Sequence, residues 1–321
     1  MFIRAADAAS AGSPSLPLVR LFNAIQIISI ILLVATLAAA YFSPLARRSA
    51  TWFNFLGAWL VTSISFILTM RYQIGPEAGF GLCLFQSALI YAAPVLSSFS
   101  AVAFSIESYL VATRTLRHSK IPRRYIIVLL AVPYLGHLAL FLGVLVVGLK
   151  SPYLVQRHET AMYCHVTTET PPRIAGSLVA LAVILAFIMI GYTGRALHRN
   201  WQMSDPRTDM SREMCLLKST LRFALFCLFP MTGVTMYLAQ FQNSSASSDS
   251  IWVLIISSLP FWASIVFGLA ESDITDAWRF WQKNRGEHYP EALELDVKAV
   301  SDKARYSSAG LEHSEASWRA S

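Results

Sequence analysis

The sequence predicts an all-α membrane protein: a seven-transmembrane helix bundle, N-terminus outside, with a short amphipathic eighth helix. Three observations predict it. Seven apolar stretches, at 18–42, 52–72, 82–112, 125–149, 174–197, 218–241 and 251–271, each reach the roughly 20 residues that cross the hydrocarbon core of a bilayer. The chain is 55% hydrophobic and only 14% charged, where soluble domains carry about 25% charged residues. Finally, Lys and Arg divide unevenly between alternate loops. With the N-terminus outside, the inner loops and their flanks hold thirteen: Arg47, Arg48, Arg114, Arg117, Lys120, Arg123, Arg124, Arg195, Arg199, Arg207, Arg212, Lys218 and Arg222. The outer loops hold four: Arg71, Lys150, Arg157 and Arg173. That is a strong positive-inside bias. It explains most of the +7 net charge without nucleic acid as a partner. A closed barrel would show alternating segments of about ten residues, which are absent.

Taken in order, residues 1–17 are Ala- and Ser-rich and lack a central apolar run. They read as an extracellular segment without a cleavable signal of the usual kind, the first span serving as its own targeting signal. The loops after the first and second spans have about nine residues each, so consecutive helices are antiparallel neighbours. The third span is the longest and should tilt or project beyond the bilayer. Ala93, Ser97, Ala101 and Ser105 recur on it at four-residue spacing, and small residues let neighbouring helices approach closely. It is expected to be the central helix. Pro94, Pro133, Pro230 and Pro260 lie inside spans and favour kinks. After the seventh span, 272–285 opens on Ser272 and Asp273, sets Ile274, Trp278 and Trp281 on one face, and ends on Arg279, Lys283 and Arg285. This pattern suits a helix lying along the inner leaflet. The tail, 286–321, is charged, Ser-rich and aperiodic, hence disordered. Its Ser301, Ser307, Ser308, Ser314 and Ser317 are candidate phosphorylation sites.

The cysteines sort by side. Cys83 and Cys164 fall outside, in an oxidising compartment, and can form a disulfide. Cys215 and Cys227 fall in or near the cytosolic half of the sixth span and should be free. Asn243-Ser244-Ser245 in the last outer loop reads as a glycosylation sequon.

Pumps and intramembrane enzymes need ionisable groups at depth. His137 is the only histidine deep within a span and has no His, Asp or Glu at helical spacing. Glu107, Arg222, Glu271 and Asp273 all fall near cytosolic ends. The seventh span has no lysine for a retinal Schiff base. No phosphate loop, paired-carboxylate site or Ser/His/Asp set stands out. The reading is a non-enzyme without cofactor or metal, which binds something on one face and reports it on the other.

In these respects the chain resembles a G-protein-coupled receptor with a rhodopsin-like outline, over about residues 18–285 in topology. That family pairs a cysteine at the outer end of the third helix with one in the second outer loop, and Cys83 and Cys164 stand in both places. Its acidic-Arg-Tyr triplet corresponds to Glu107-Ser108-Tyr109, with serine in place of arginine. Its Cys-Trp-x-Pro motif corresponds to Cys227-Leu228-Phe229-Pro230, without the tryptophan. The Asn-Pro-x-x-Tyr motif is absent, and Phe267-Gly268-Leu269-Ala270-Glu271 stands near its place. The second span lacks the sodium-site Asp and the fifth lacks a proline. The segment Cys83–Pro94 is similar to a fungal group of orphan seven-helix proteins.

The resemblance implies a multi-pass plasma-membrane receptor, C-terminus cytoplasmic, for a small-molecule or lipid-like ligand. The ligand would enter between the third, fifth, sixth and seventh spans, with Gln86, Ile90, Tyr91, Met231, Thr235, Tyr237 and Trp262 as pocket candidates. Glu107, Ser108, Tyr109, Arg222 and Pro230 are switch candidates, and a Glu107–Arg222 pair is the expected inactive-state lock. Arg114, Arg117, Arg123, Arg124, Arg195 and Arg199 would face a heterotrimeric G protein. The competing readings are a transporter or channel for an uncharged or lipid solute, and an intramembrane lipid hydrolase. The lack of internal repeats weighs against the first. The second needs a metal or acid/base cluster.

Overall fold

The computed structural model describes residues 16–42, 48–115, 122–203, 217–231 and 253–269. Among the described residues, five helices are long and apolar enough to cross a membrane. These are α1 (Leu16–Phe42), α2 (Ala50–Ile67, with a 3-10 turn at Met70–Tyr72), α3 (Phe80–Thr115), α4 (Arg123–Lys150) and α5 (Thr170–Met203). The sixth expected span is described over 217–231 (α6) and the seventh over Val253–Gly268 (α7), helical in both. The amphipathic segment 272–285, the tail, Thr235, Tyr237, Asn243, Arg117 and Cys215 lie outside the described residues.

Local chemistry accounts for several boundaries. Ser49 caps α2, its Oγ accepting from the Trp52 N–H at 3.3 Å. Pro122 precedes α4 and Pro171-Pro172 sit in the first turn of α5, where a missing N–H costs the helix nothing. Pro94 and Pro133 are inside α3 and α4. Pro260 instead divides α7: a turn at Ser258 precedes the helical Leu259–Ser264. A π-helical turn, Ile265–Leu269, then follows. There Gly268 packs so closely on α1 that an added Cβ would collide with Thr36 Oγ1.

At 36 residues, α3 is the longest described helix. It packs against α2, α4, α5 and a small hairpin, with Ala93, Ser97 and Ser105 buried. The chain returns on itself where α7 meets α1, and the fully buried Gln26 donates through Nε2 to the Ser257 carbonyl at 2.6 Å. The main core is aromatic. Phe55, fully buried in α2, meets four rings from other helices: Phe104 of α3 at 6.0 Å, Phe223 and Phe226 of α6 at 5.7 and 5.9 Å, and Phe267 of α7 at 5.2 Å.

Candidate functional site

Between α4 and α5 the sequence reading expected only a loop. The structure builds a two-stranded antiparallel hairpin there, β1 (Val155–Arg157) and β2 (Cys164–Val166), pairing Val155 with Val166 and Arg157 with Cys164. Cys164 is disulfide-bonded to Cys83 in the first turn of α3. The connecting turn holds Ala161 at φ 57, left-handed backbone that a non-glycine residue seldom adopts. It is held there partly by the Ala161 N–H, which donates to His158 O at 2.8 Å. The turn buries Met162 against Val19, Phe22 and Phe66.

Polar side chains anchor the hairpin. Arg157 donates to the Tyr72 and Gly75 carbonyls at 3.2 and 3.1 Å. Gln73 donates to Met162 O at 2.8 Å. Gln86, fully buried in α3, accepts through Oε1 from Cys164 N–H (3.0 Å) and Thr69 Oγ1 (2.7 Å), and its Nε2 donates to Ser65 O and Phe66 O. Both ends of that amide are occupied. Gln86 is therefore a tie between α2, α3 and the hairpin, with no free hydrogen-bonding capacity for a ligand.

Two histidines share the hairpin. His158 stacks on Tyr163 at 4.8 Å, its Nδ1 accepts from the Thr160 N–H at 3.3 Å, and His165 lies 4.9 Å away. Burial lowers the pKa of His158. Burial first, then the neighbouring His158, lowers that of His165 to about 4. Both rings are thus neutral in the folded hairpin, while the unfolded chain takes up protons from about pH 6.5 downward. The hairpin should be fully stable above that pH and lose about 1 kcal/mol between pH 6.5 and 4, after allowance for solvent screening. Unfolding temperature measured against pH should show this slope, and His165→Gln should flatten it.

Below the hairpin lies a cavity of about 260 Å³. Its walls follow helical spacing: Trp59, Thr62 and Phe66 from α2, Ile90, Tyr91, Pro94 and Ser98 from α3, and Pro172, Ala175, Gly176 and Val179 from α5. Pro230 of α6 and Ile256 and Leu259 of α7 complete it. Small residues on α5 and the kink-favouring prolines of α3 and α6 leave the space open. Tyr91 reaches up to the hairpin, its hydroxyl 3.4 Å from both N and O of Val166. Of the pocket candidates, Ile90 and Tyr91 line this cavity. Met231 and Trp262 are not among its described lining residues, and Trp262 is partly exposed, stacked on Phe229 at 5.6 Å.

The opposite end gives Glu107 a different partner from the one expected. Its carboxylate is buried and accepts from Thr51 Oγ1 in the first turn of α2, where the helix dipole favours negative charge. Among the described residues no ion pair joins Glu107 to Arg222. Ser108 turns back onto Phe104 O at 2.9 Å, and Tyr109 lies 6.1 Å from Tyr192. Arg123, Arg124, Arg195 and Arg199 are exposed at this end, on α4 and α5. Arg114 belongs to the last turn of α3. Cys227 is a free, buried thiol. Among the described residues no group of three His, Cys, Asp or Glu side chains could hold a metal ion.

Models of known families and curated proteins both give no match to this chain. The site therefore rests on its own geometry. Trp59, Thr62 and Phe66 were missed in the sequence, where α2 looked like ordinary packing. Their spacing of three and four marks one helix face, but nothing in an apolar span says that this face borders a cavity.

Proposed function

We propose that the chain is a receptor-like plasma-membrane protein. It binds an uncharged or lipid-like small molecule in the cavity beneath the hairpin and passes the event to a cytoplasmic G protein. One observation carries this reading. Pro230 lines the cavity, and the same helix carries Phe223 and Phe226 into the aromatic cluster around Phe55. An occupant that presses on the Pro230 region pushes on a helix whose other contacts lie towards the arginine-bearing end. Packed cores respond to such pressure by switching between discrete arrangements. The disulfide supports an extracellular assignment for its end, and the exposed arginines support a cytosolic one for theirs.

The test is activation of a panel of Gα subunits in membranes containing the chain, at two salt concentrations. Replacing Arg123, Arg124, Arg195 and Arg199 together with alanine should cut coupling about tenfold, and salt should weaken the wild type, as for electrostatically guided docking. Coupling to no Gα subunit would overturn the reading, and solute flux in proteoliposomes would replace it with a transporter.

A further inference from the structure

Serine hydroxyls on α3 have two regular fates. Ser87, Ser105 and Ser108 fold back onto the carbonyls of Cys83, Ala101 and Phe104, four residues earlier, the usual refuge of a serine inside a helix. Ser97 and Ser100 reach across to α2, where Ser97 lies 3.0 Å from Thr62 Oγ1 and Ser100 accepts from Asn54 at 3.1 Å. Ser98 does neither. It is half-buried and lines the cavity, and its hydroxyl has no hydrogen bond among the described residues. The other polar side chains on the wall are engaged or out of reach. Thr62 Oγ1 donates to Ala58 O at 3.0 Å. The Tyr91 hydroxyl is 3.4 Å from both N and O of Val166. The Trp59 indole nitrogen is unpartnered but fully enclosed. Ser98 is therefore the side chain that can still offer an occupant a hydrogen bond, and a hydroxyl in an apolar space gains by making one.

The rest of the wall limits the occupant. No Asp, Glu, His, Lys or Arg is among the described lining residues, so a charged group would be buried uncompensated. The volume, about 260 Å³, lies just below the usual range for small-molecule sites of about 300–1,000 Å³, so a whole phospholipid does not fit. Ile90, Tyr91, Pro94 and Ser98 share one face of α3. From Tyr91, under the hairpin, to Ser98 is two helical turns, about 10 Å. The free hydroxyl thus sits at the end remote from the hairpin, and the space between is apolar.

We propose that the cavity takes a small, uncharged, mainly aliphatic molecule bearing one oxygen, and that this oxygen accepts the Ser98 O–H while the carbon chain lies back along Tyr91 and Ile90 towards Phe66. The inference deepens the receptor reading and rests on its ligand cavity, but not on coupling to a G protein.

The experiment uses the full chain in lipid nanodiscs and a matched pair of probes, 2-nonanone and nonane, whose length suits the two turns. Unfolding temperature is followed against the mole fraction of each probe in the lipid. The wild type should be stabilised saturably by both, with half-saturation about tenfold lower for the ketone, as one net hydrogen bond provides. Ser98→Ala removes a hydroxyl that holds nothing in the protein, so the unliganded variant should unfold no lower than the wild type. It should bind the alkane as the wild type does and the ketone no better than the alkane. A second reading reports the bond directly: with the ketone labelled with 13C at its carbonyl, the bound signal should lie downfield of the lipid-dissolved one in the wild type and lose that shift in Ser98→Ala. Equal half-saturation of the two probes in the wild type would overturn the proposal and leave a ligand cavity standing. A ketone preference or carbonyl shift that survives in Ser98→Ala would do the same. A lowered unfolding temperature of the unliganded variant would also overturn it, by showing the hydroxyl already engaged. No saturable binding of either probe would overturn both the proposal and the cavity reading beneath it. No G protein enters the assay, so failed coupling would leave a positive binding result standing.

Discussion

Replacing Phe55 with alanine is expected to cost the bundle about 2–3 kcal/mol. In a water-soluble core a Phe-to-Ala change costs about 3–5 kcal/mol, part transfer from water and part cavity. Within a bilayer the transfer part shrinks, because lipid tails are as apolar as the core. The cavity part remains. Phe55 is fully buried with rings on it from α3, α6 and α7, so no single neighbour can collapse into the void. Phe55→Leu keeps most of the volume and should cost less than about 1.5 kcal/mol. Unfolding by denaturing detergent in mixed micelles gives both numbers. A Phe55→Ala change below about 0.5 kcal/mol would mean that this cluster does not hold the four helices together.

Removing the disulfide is the second large effect. Cys83 and Cys164 are 81 residues apart, a loop for which the chain-entropy model gives about 4 kcal/mol. A bilayer already confines the intervening helices, so Cys83→Ala with Cys164→Ala should cost about half of that, roughly 2 kcal/mol. The loss should concentrate in the hairpin. Hydrogen exchange at 155–166 should accelerate well before exchange in α2 or α3, since only Gln86, Gln73, Arg157 and Tyr91 would then tie the hairpin to the bundle through side chains. Exchange that stays unchanged in the double variant would show that these four side chains suffice. Gln86→Leu in the same background separates the contributions, because it removes the amide that holds both Cys164 N–H and the end of α2.

The first five helices could be read from the sequence because an unbroken apolar run has few other fates. The bond between Cys83 and Cys164 was foreshadowed too, since alternating spans bring both cysteines to the same end of the bundle. What a helix turns towards its neighbours was not. A span that is apolar on every side has no amphipathic stripe, so Trp59 and Phe66 look the same whether they meet lipid, a partner or a cavity. Gln86 was read as a ligand contact, because its partners, the Thr69 hydroxyl and backbone groups of α2 and the hairpin, are marked by no sequence pattern. Glu107 was paired with Arg222 on charge alone. The structure shows an uncharged donor, Thr51, beside it instead.

The bond from Gln26 to Ser257 spans 231 residues. At a synthesis rate of about 5–20 residues per second, α1 waits roughly ten to fifty seconds for α7 to emerge. During that interval the Gln26 amide, an uncomfortable group among lipid tails, lacks its final partner. The first helix of the nascent chain is thus a natural client for whatever shelters polar spans during membrane insertion.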